Sequence, residues 1–180
     1  MEISLAGRTA VITGASKGLG LAMATRFAAS GADVAMLARR PDVLDEAKAI
    51  VGKTAKGRVA VFSCDVAKAP RAGGAPTAVS RAAGMALTKA LAGEYAPHNV
   101  LVNALLVGLI VSDQWVRRHA AQGANIPFEE FTAKMAGNIP LGRMGKAEEF
   151  ANIACFLASD AAAFVTGTAI NVDGGASPVV

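Results

Sequence analysis

Aromatic rings are scarce in this chain: one tryptophan, one tyrosine and seven phenylalanines make up 5% of 180 residues. The rings are not interleaved with the Lys and Arg residues, which are themselves scattered. The stripe of basic and stacking side chains that nucleic-acid binding needs is therefore missing, despite a net charge of +4 and a pI near 9.3. An anionic small molecule accounts for the surplus charge equally well. Histidine and cysteine are also sparse, with two of each. His98 and His119 have no acid or cysteine at ligand spacing, which speaks against a metal. Cys64 and Cys155 stand far apart and read as buried thiols of a reducing compartment. No apolar run is long enough to cross a bilayer, and the stretch "MEISLAGRTAVITGAS" lacks the layout of a signal peptide. The expectation is a cytoplasmic protein with no membrane partner. Internal repeats and linker-like stretches are absent too, so residues 1–180 read as one domain.

What is present is a chain 53% hydrophobic and 18% charged, ample for a globular core. Short β-rich runs alternate with longer helical ones. "RTAVIT" (8–13), "DVAMLA", "RVAVFSCD", "NVLVNALLV" (99–107) and "GTAINVDGG" read as strands. Helices are expected from about Gly18 to Ser30, where Gly31 ends the helix, and over "PDVLDEAKAIV", "DQWVRRHA", "FEEFTAKMA" and "KAEEFANIACFLASD". In the last of these, Phe150, Ile153 and Leu157 share a side. Strands alternating with helices imply parallel pairing, hence an α/β fold: a Rossmann-like, doubly wound parallel sheet.

The most informative segment is "TAVITGASKGLGLAMATRF". A strand runs directly into Gly14, Gly18 and Gly20 and then straight into a helix. Glycines there permit a tight turn and let backbone N–H groups approach a pyrophosphate at the positive end of the helix. A plain flexible turn is the alternative. In such folds an acid at the end of the second strand binds ribose hydroxyls and favours NAD. Asp33 begins that strand and so sits at the wrong end, whereas its far end reads Ala38-Arg39-Arg40. Arg39 and Lys17 suit a 2′-phosphate, which points to NADP in preference to NAD; the alternative is that both cations are merely solvated.

"PTAVSRAAGMALTKALAGEYAPHNV" (76–100) reads as a helix closed by Pro97. Ala83, Leu87 and Leu91 share one face, and Ala82, Ala86, Ala90 and Gly93 form a small one. Thr77 and Arg81 lie four apart in its first turns. On spacing alone they are either reactive groups or a surface hydroxyl and a solvated cation.

The glycine loop, "CDV" after the third strand, "NVLVNALLVGLI", "PLGRMGKAEEFANIACFLASD" and "TGTAINVDGG" together resemble the short-chain dehydrogenase/reductase family. The resemblance covers Gly7 to Val66 and nearly everything from Thr77 to Gly175. It implies an NADP(H)-dependent oxidoreductase acting on a carbonyl or alcohol. It further implies that Gly14, Ser16, Lys17, Gly18, Leu19 and Gly20 bind the cofactor phosphates, that Asp65 and Val66 hold adenine, and that Gly108, Ile110 and Ser112 lie by the nicotinamide. A homodimer or homotetramer assembled through the 76–97 helix is implied as well.

The family's Tyr-x-x-x-Lys pair falls on Thr77 and Arg81, the candidate catalytic positions. Arg81 keeps the charge, but an aliphatic hydroxyl is too weak an acid to replace a phenol near pH 7. The family proline after the Asn103 strand is Val107 here. The alternative function is a catalytically inactive nucleotide-binding protein, either a sensor or a partner subunit. The substrate-selecting stretch, Gly108 to Pro140, carries Trp115, Phe128 and Phe131 and implies an apolar portion in a small-molecule substrate.

Family members place two further strand–helix units between "CDV" and the Thr77 helix, on the order of 60 to 75 residues. Here the two are joined directly, with the junction near Val66 and Ala67. A segment left out of the sequence, a genuine deletion and a compact variant of the fold remain open. Without those units the first strand exposes an apolar edge, unless the Asn103 strand pairs with it directly. A linker over Val66 to Pro76 reaches about 36 Å, ample for the roughly 15 Å that such pairing requires.

Overall fold

The structure is a computed structural model that describes residues 2–64 and 74–178, and for residues 74–82 only the helical backbone. Strand β1 (Thr9–Thr13), helix α1 (Gly18–Ala29), strand β2 (Asp33–Ala38), helix α2 (Pro41–Gly52) and strand β3 (Val59–Ser63) follow one another as a βαβαβ unit with parallel pairing. The register aligns Val11 with Ala35 and Ala35 with Ala60, leaving β2 in the centre. Pro41 opens α2, where its missing N–H costs nothing, and Asp42 sits in the positively polarised first turn. Gly31, at φ +100°, turns the chain out of α1.

Helix α3 (Gly74–Tyr95) comes next and gives way to a 3-10 turn at Ala96–His98. Strand β4 (Ala104–Val107), helices α4 (Asp113–Ala121), α5 (Phe128–Met135) and α6 (Ala147–Leu157), and strand β5 (Ala169–Val172) complete the order. Strands β4 and β5 pair in parallel, with Ala104 opposite Ala169. Residues on one face of the first sheet (Ile12, Val34, Met36) form a single core with Ala24 and Ala28 of α1, with Leu44, Ala47 and Val51 of α2 and with Cys155 of α6. On α6 the fully buried positions are Phe150, Ala151 and Cys155, while Ile153 and Leu157 are half-buried. Among the described residues no helix is long and apolar enough to cross a membrane.

Three features bear on the reading of the sequence. The α/β architecture with all-parallel pairing is as expected, and of the two outcomes left open for β1 the free edge is the one found, since β4 does not pair with it. Two sheets form, β1-β2-β3 and β4-β5. The outer edge of β1 is consequently unpaired among the described residues, and Val11 is 67% exposed. The strand expected over 99–107 shrinks to Ala104–Val107, because its first half lacks a ladder neighbour. Side chains take over there: Asn103 Nδ2 donates to Val165 O at 2.9 Å, and Val102 N donates to Thr166 Oγ1 at 3.1 Å. Cys64 is exposed rather than buried. It follows the last residue of an edge strand, so no second strand screens it.

Candidate functional site

The glycine loop lies between the end of β1 and α1 and is fixed to β2 by the Ala15 N–H, which donates to Leu37 O at 3.2 Å. Gly14 has φ +67° and Gly18 φ +55°, a left-handed conformation that side chains other than glycine rarely accept. Gly20 is needed for closeness: a Cβ there would stand 2.4 Å from Gly14 O. The loop thus folds back on the first turn of α1, and the N-terminal N–H groups of α1 open onto the space above it.

That space is a cavity of about 760 Å³. Its walls bring together Gly14, Ser16, Lys17, Gly18 and Leu19 from the loop with Arg39 and Arg40 from the end of β2. Ser112 closes the third side, a Cβ on Gly18 lying 3.6 Å from the Ser112 Cβ. The strand ends are tied together by Ser63 Oγ donating to Arg39 O at 3.0 Å and by Cys64 N donating to Ala38 O at 2.9 Å.

Among the described residues the charge lining this cavity is mainly positive. Asp33 begins β2 at the opposite end of the strand and is held there by Arg58. The carboxylate accepts the Arg58 backbone N–H at 2.7 Å, with Nε at 2.9 Å and Nη2 at 2.7 Å from its other oxygen. These bonds keep the Asp33 carboxyl below the usual range and raise the Arg58 guanidinium above its own. Among the described residues the carboxylate that lines the cavity is Asp113, in the first turn of α4. It lies 3.6 Å from Lys17 Nζ and 3.3 Å from Arg117 Nη1. Arg117 and Asp113 were not singled out from the sequence. Their only signal there is an acid and a base four apart at a helix start, an arrangement that solvated helices share.

The remaining candidate residues separate from this group. Gly20 is buried beneath the loop and supports it without lining the cavity. Gly108 faces β5: a Cβ there would meet Asp173 Cα at 2.5 Å. Ile110 is buried, bridges to Gly145 and lines a second cavity, of about 480 Å³, with Arg143 and Glu149. Thr77 and Arg81 fall in the first two turns of α3, with their side chains outside the description. Asp65 and Val66 lie outside the described residues.

Trp115, Phe128 and Phe131 face one another, joined by the His119 ring, with centroid separations of 5.1 to 6.4 Å. They are the packing between α4 and α5 rather than an open apolar wall. His119 Nε2 lies 2.7 Å from Ile126 O. Among the described residues, no three His, Cys, Asp or Glu side chains converge on a common point. Glu149, in the first turn of α6, clamps the preceding turn: it takes Arg143 in a fork at 2.9 and 2.6 Å and the Lys146 N–H at 2.7 Å. Arg143 first, and then that N–H, lower its carboxyl to about 2.

Residues 8–72 match the short chain dehydrogenase family model, and residues 71–177 match a second model described as enoyl-(acyl carrier protein) reductase. A 3-oxoacyl-(acyl-carrier-protein) reductase of Aquifex aeolicus is 38% identical over 119 residues, which take in 66% of this chain and 44% of that enzyme. The chain thus spans less than half the length of that relative. An uncharacterized oxidoreductase of Caenorhabditis elegans aligns at 28% identity over 254 positions, covering 96% of this chain and 80% of its own. Since this chain has 180 residues, more than 70 of those 254 positions face a gap in it. Among solved structures, an NADPH-bound short chain oxidoreductase of Pseudomonas aeruginosa, described as containing an atypical catalytic center, superposes with a TM-score of 0.87 at 26% identity, over 98% of this chain and 99% of that one. With both halves matched in order and the glycine loop in its expected place, the chain belongs to the short-chain dehydrogenase/reductase family.

Proposed function

We propose that this chain binds NADP(H) in the cavity above the glycine loop and is an oxidoreductase of the short-chain type, acting on a carbonyl or alcohol. The observation that carries the reading is the charge arrangement. Lys17, Arg39, Arg40 and Arg117 line the cavity, while the acid of β2 is bound to Arg58 at the far end of the strand. Arg39, with Arg40 beside it, takes the 2′-phosphate; Ser16, Lys17 and the N–H groups around Gly14, Gly18 and Leu19 take the pyrophosphate. Asp65 and Val66 are assigned to adenine, and Gly108, Ile110 and Ser112 to the nicotinamide side. Gly108 and Ile110 act there as backbone spacers, given the close approach of Gly108 to Asp173 and the burial of Ile110 beside Gly145. The fit rests on the cradle itself, since a side chain at Gly20 would press on Gly14 and close it. NADPH, when bound, supplies the hydride.

Thr77 and Arg81 occupy the family's proton-relay positions. Arg81 retains a cation for a ribose or phosphate; Thr77 cannot release a proton near pH 7, so water held near Arg81 serves as the proton source. The Pseudomonas aeruginosa neighbour, called an oxidoreductase with an atypical catalytic center, supports activity without the usual set. The replacement of the phenol favours a second reading, binding without turnover. Titration with NADPH, followed by assay against a carbonyl panel, separates the two: binding with turnover supports the first and binding alone the second. Absence of binding removes both.

Three further parts belong to this proposal. The chain is a cytoplasmic protein, with Cys64 and Cys155 both unpaired. It forms a homodimer or homotetramer through α3, whose Ala86, Ala90 and Gly93 are exposed. A central stretch is missing near residues 66–67, a reading supported by the gapped alignment and the free edge of β1. An intact mass of 18.2 kDa for the isolated protein agrees with a true deletion, and a clearly larger mass contradicts it.

A further inference from the structure

Helix α4 opens with Asp113 and carries Arg117 one turn later, so both side chains lie on the same face. The residue before them, Ser112, is the N-cap, and its Cβ lies 3.6 Å from where a Cβ on Gly18 would stand. The start of α4 therefore rests on the glycine loop and brings Asp113 to the loop's own cation. One Asp113 oxygen lies 3.6 Å from Lys17 Nζ, and the other lies 3.3 Å from Arg117 Nη1. All three side chains line the cavity assigned to the nucleotide.

These contacts differ from the committed acid–base pairs of the molecule. The forks from Arg58 to Asp33 and from Arg143 to Glu149 close at 2.6 to 2.9 Å, near the range of charge-assisted hydrogen bonds, about 2.7–2.9 Å. Both Asp113 contacts are longer, and the Lys17 and Arg117 side chains are 47% and 72% exposed. Such pairs contribute little to stability and exchange readily for a stronger anion. Arg39 and Arg40, from the end of β2, have no acid partner among the described residues. The cavity is therefore asymmetric: the β2 side carries unpaired cations, while the α4 side carries cations already balanced by a carboxylate.

We propose that Asp113 competes with the cofactor diphosphate for Lys17 and Arg117, and so limits the affinity of the cavity for NADPH and NADH alike. This rests on the nucleotide reading above and deepens it: Arg117 becomes a further phosphate-binding residue, and Asp113 an affinity-limiting one. A diphosphate offers more charge and more acceptor oxygens than one carboxylate, so it takes the two cations. It does so against the repulsion of an acid that stays in the same cavity. Asp113 belongs to α4 and pairs with the loop cation, not with the Arg39–Arg40 end of β2. Its repulsion therefore bears on the diphosphate that the two dinucleotides share, and not on the 2′-phosphate that separates them.

The test is titration of the full chain with NADPH and with NADH, in wild type, Asp113→Asn, Lys17→Met, Arg117→Gln and the two double variants that carry Asp113→Asn. Urea unfolding of each protein checks its fold; α4 holds no buried residue, so the core is left intact. Asp113→Asn is expected to bind both dinucleotides about three- to tenfold tighter, with their affinity ratio within about twofold of wild type. Asp113→Ser repeats the measurement with a second neutral side chain. Lys17→Met and Arg117→Gln are each expected to weaken binding by a larger factor in the Asp113→Asn background, where the cation is uncontested, than in wild type. Unchanged or weaker binding by folded Asp113→Asn and Asp113→Ser overturns the inference and leaves the nucleotide reading standing. Tightening confined to NADPH also overturns it, as do strictly additive effects of the paired substitutions, which would mark a general effect of net charge. A folded wild type and a folded Asp113→Asn that bind neither dinucleotide overturn the nucleotide reading, and this inference with it.

Discussion

Asp33 and Arg58 meet at the amino end of β2, where one carboxylate gathers the Arg58 backbone N–H and two guanidinium nitrogens within 2.9 Å. This pair lies away from the cavity, whose lining includes neither residue. The acid that β2 possesses is committed to closing the turn into β3, and the carboxyl end of β2 offers Arg39 and Arg40 to the cavity. A ribose diol needs an acceptor there; a phosphate needs donors.

Acid sensitivity is the first expectation. The Glu149 carboxyl, held at about 2 against an ordinary 4.5, binds fewer protons in the folded chain than in the unfolded one. Its contribution is therefore present above about pH 4.5 and lost as pH falls toward 2. Asp33 is shifted in the same direction. Glu149→Gln should flatten the fall in stability across that window, measured by urea unfolding at several pH values. An unchanged pH profile would show that the fork to Arg143 does not persist in solution.

The glycine loop gives a steric expectation. Gly20→Ala places a methyl 2.4 Å from Gly14 O and 2.8 Å from its carbonyl carbon, both backbone atoms that cannot rotate away. The variant should lose about 1–3 kcal/mol of stability and bind NADPH at least about tenfold more weakly, since the cradle itself shifts. Unfolding curves and NADPH titration read the two effects separately. Wild-type values for both would mean that the loop relaxes freely.

Catalysis gives a negative expectation. On the proposed reading Thr77 takes the phenol's position without its acidity, so Thr77→Ala should alter the rate of carbonyl reduction less than twofold. A general acid at that position would instead contribute on the order of 100-fold or more. Steady-state assay of the variant beside wild type decides between them.

Much of this architecture is legible in the sequence because it is local. The strands of the first βαβαβ unit and the start of α2 at Pro41 follow from periodicity and capping, and the position of Asp33 at the wrong strand end follows from counting. What escaped depends on neighbours. The 99–103 half of the fourth predicted strand has the right residues, but hydrogen-bond pairing requires an adjacent strand, and the one beside it among the described residues begins at Ala169. Cys64 is apolar enough to be buried, yet it directly follows β3, which lies at the edge of its sheet among the described residues. Leu87, placed with Ala83 and Leu91 on one apolar face of α3, stays exposed, because that face meets no neighbouring element among the described residues. Within the site, the loop glycines and Arg39 were readable as a motif, whereas the approach of Asp113 and Arg117 arises from the chain path between β4 and α4, which no short pattern encodes.

The most direct test of the account is calorimetric titration of the purified chain with NADPH and with NADH, repeated on Arg39→Ala. The account predicts saturable NADPH binding at least about tenfold tighter than NADH, with the difference largely erased in Arg39→Ala and NADH affinity unchanged. Equal affinity for the two nucleotides, or no binding of either by a folded chain, would contradict it.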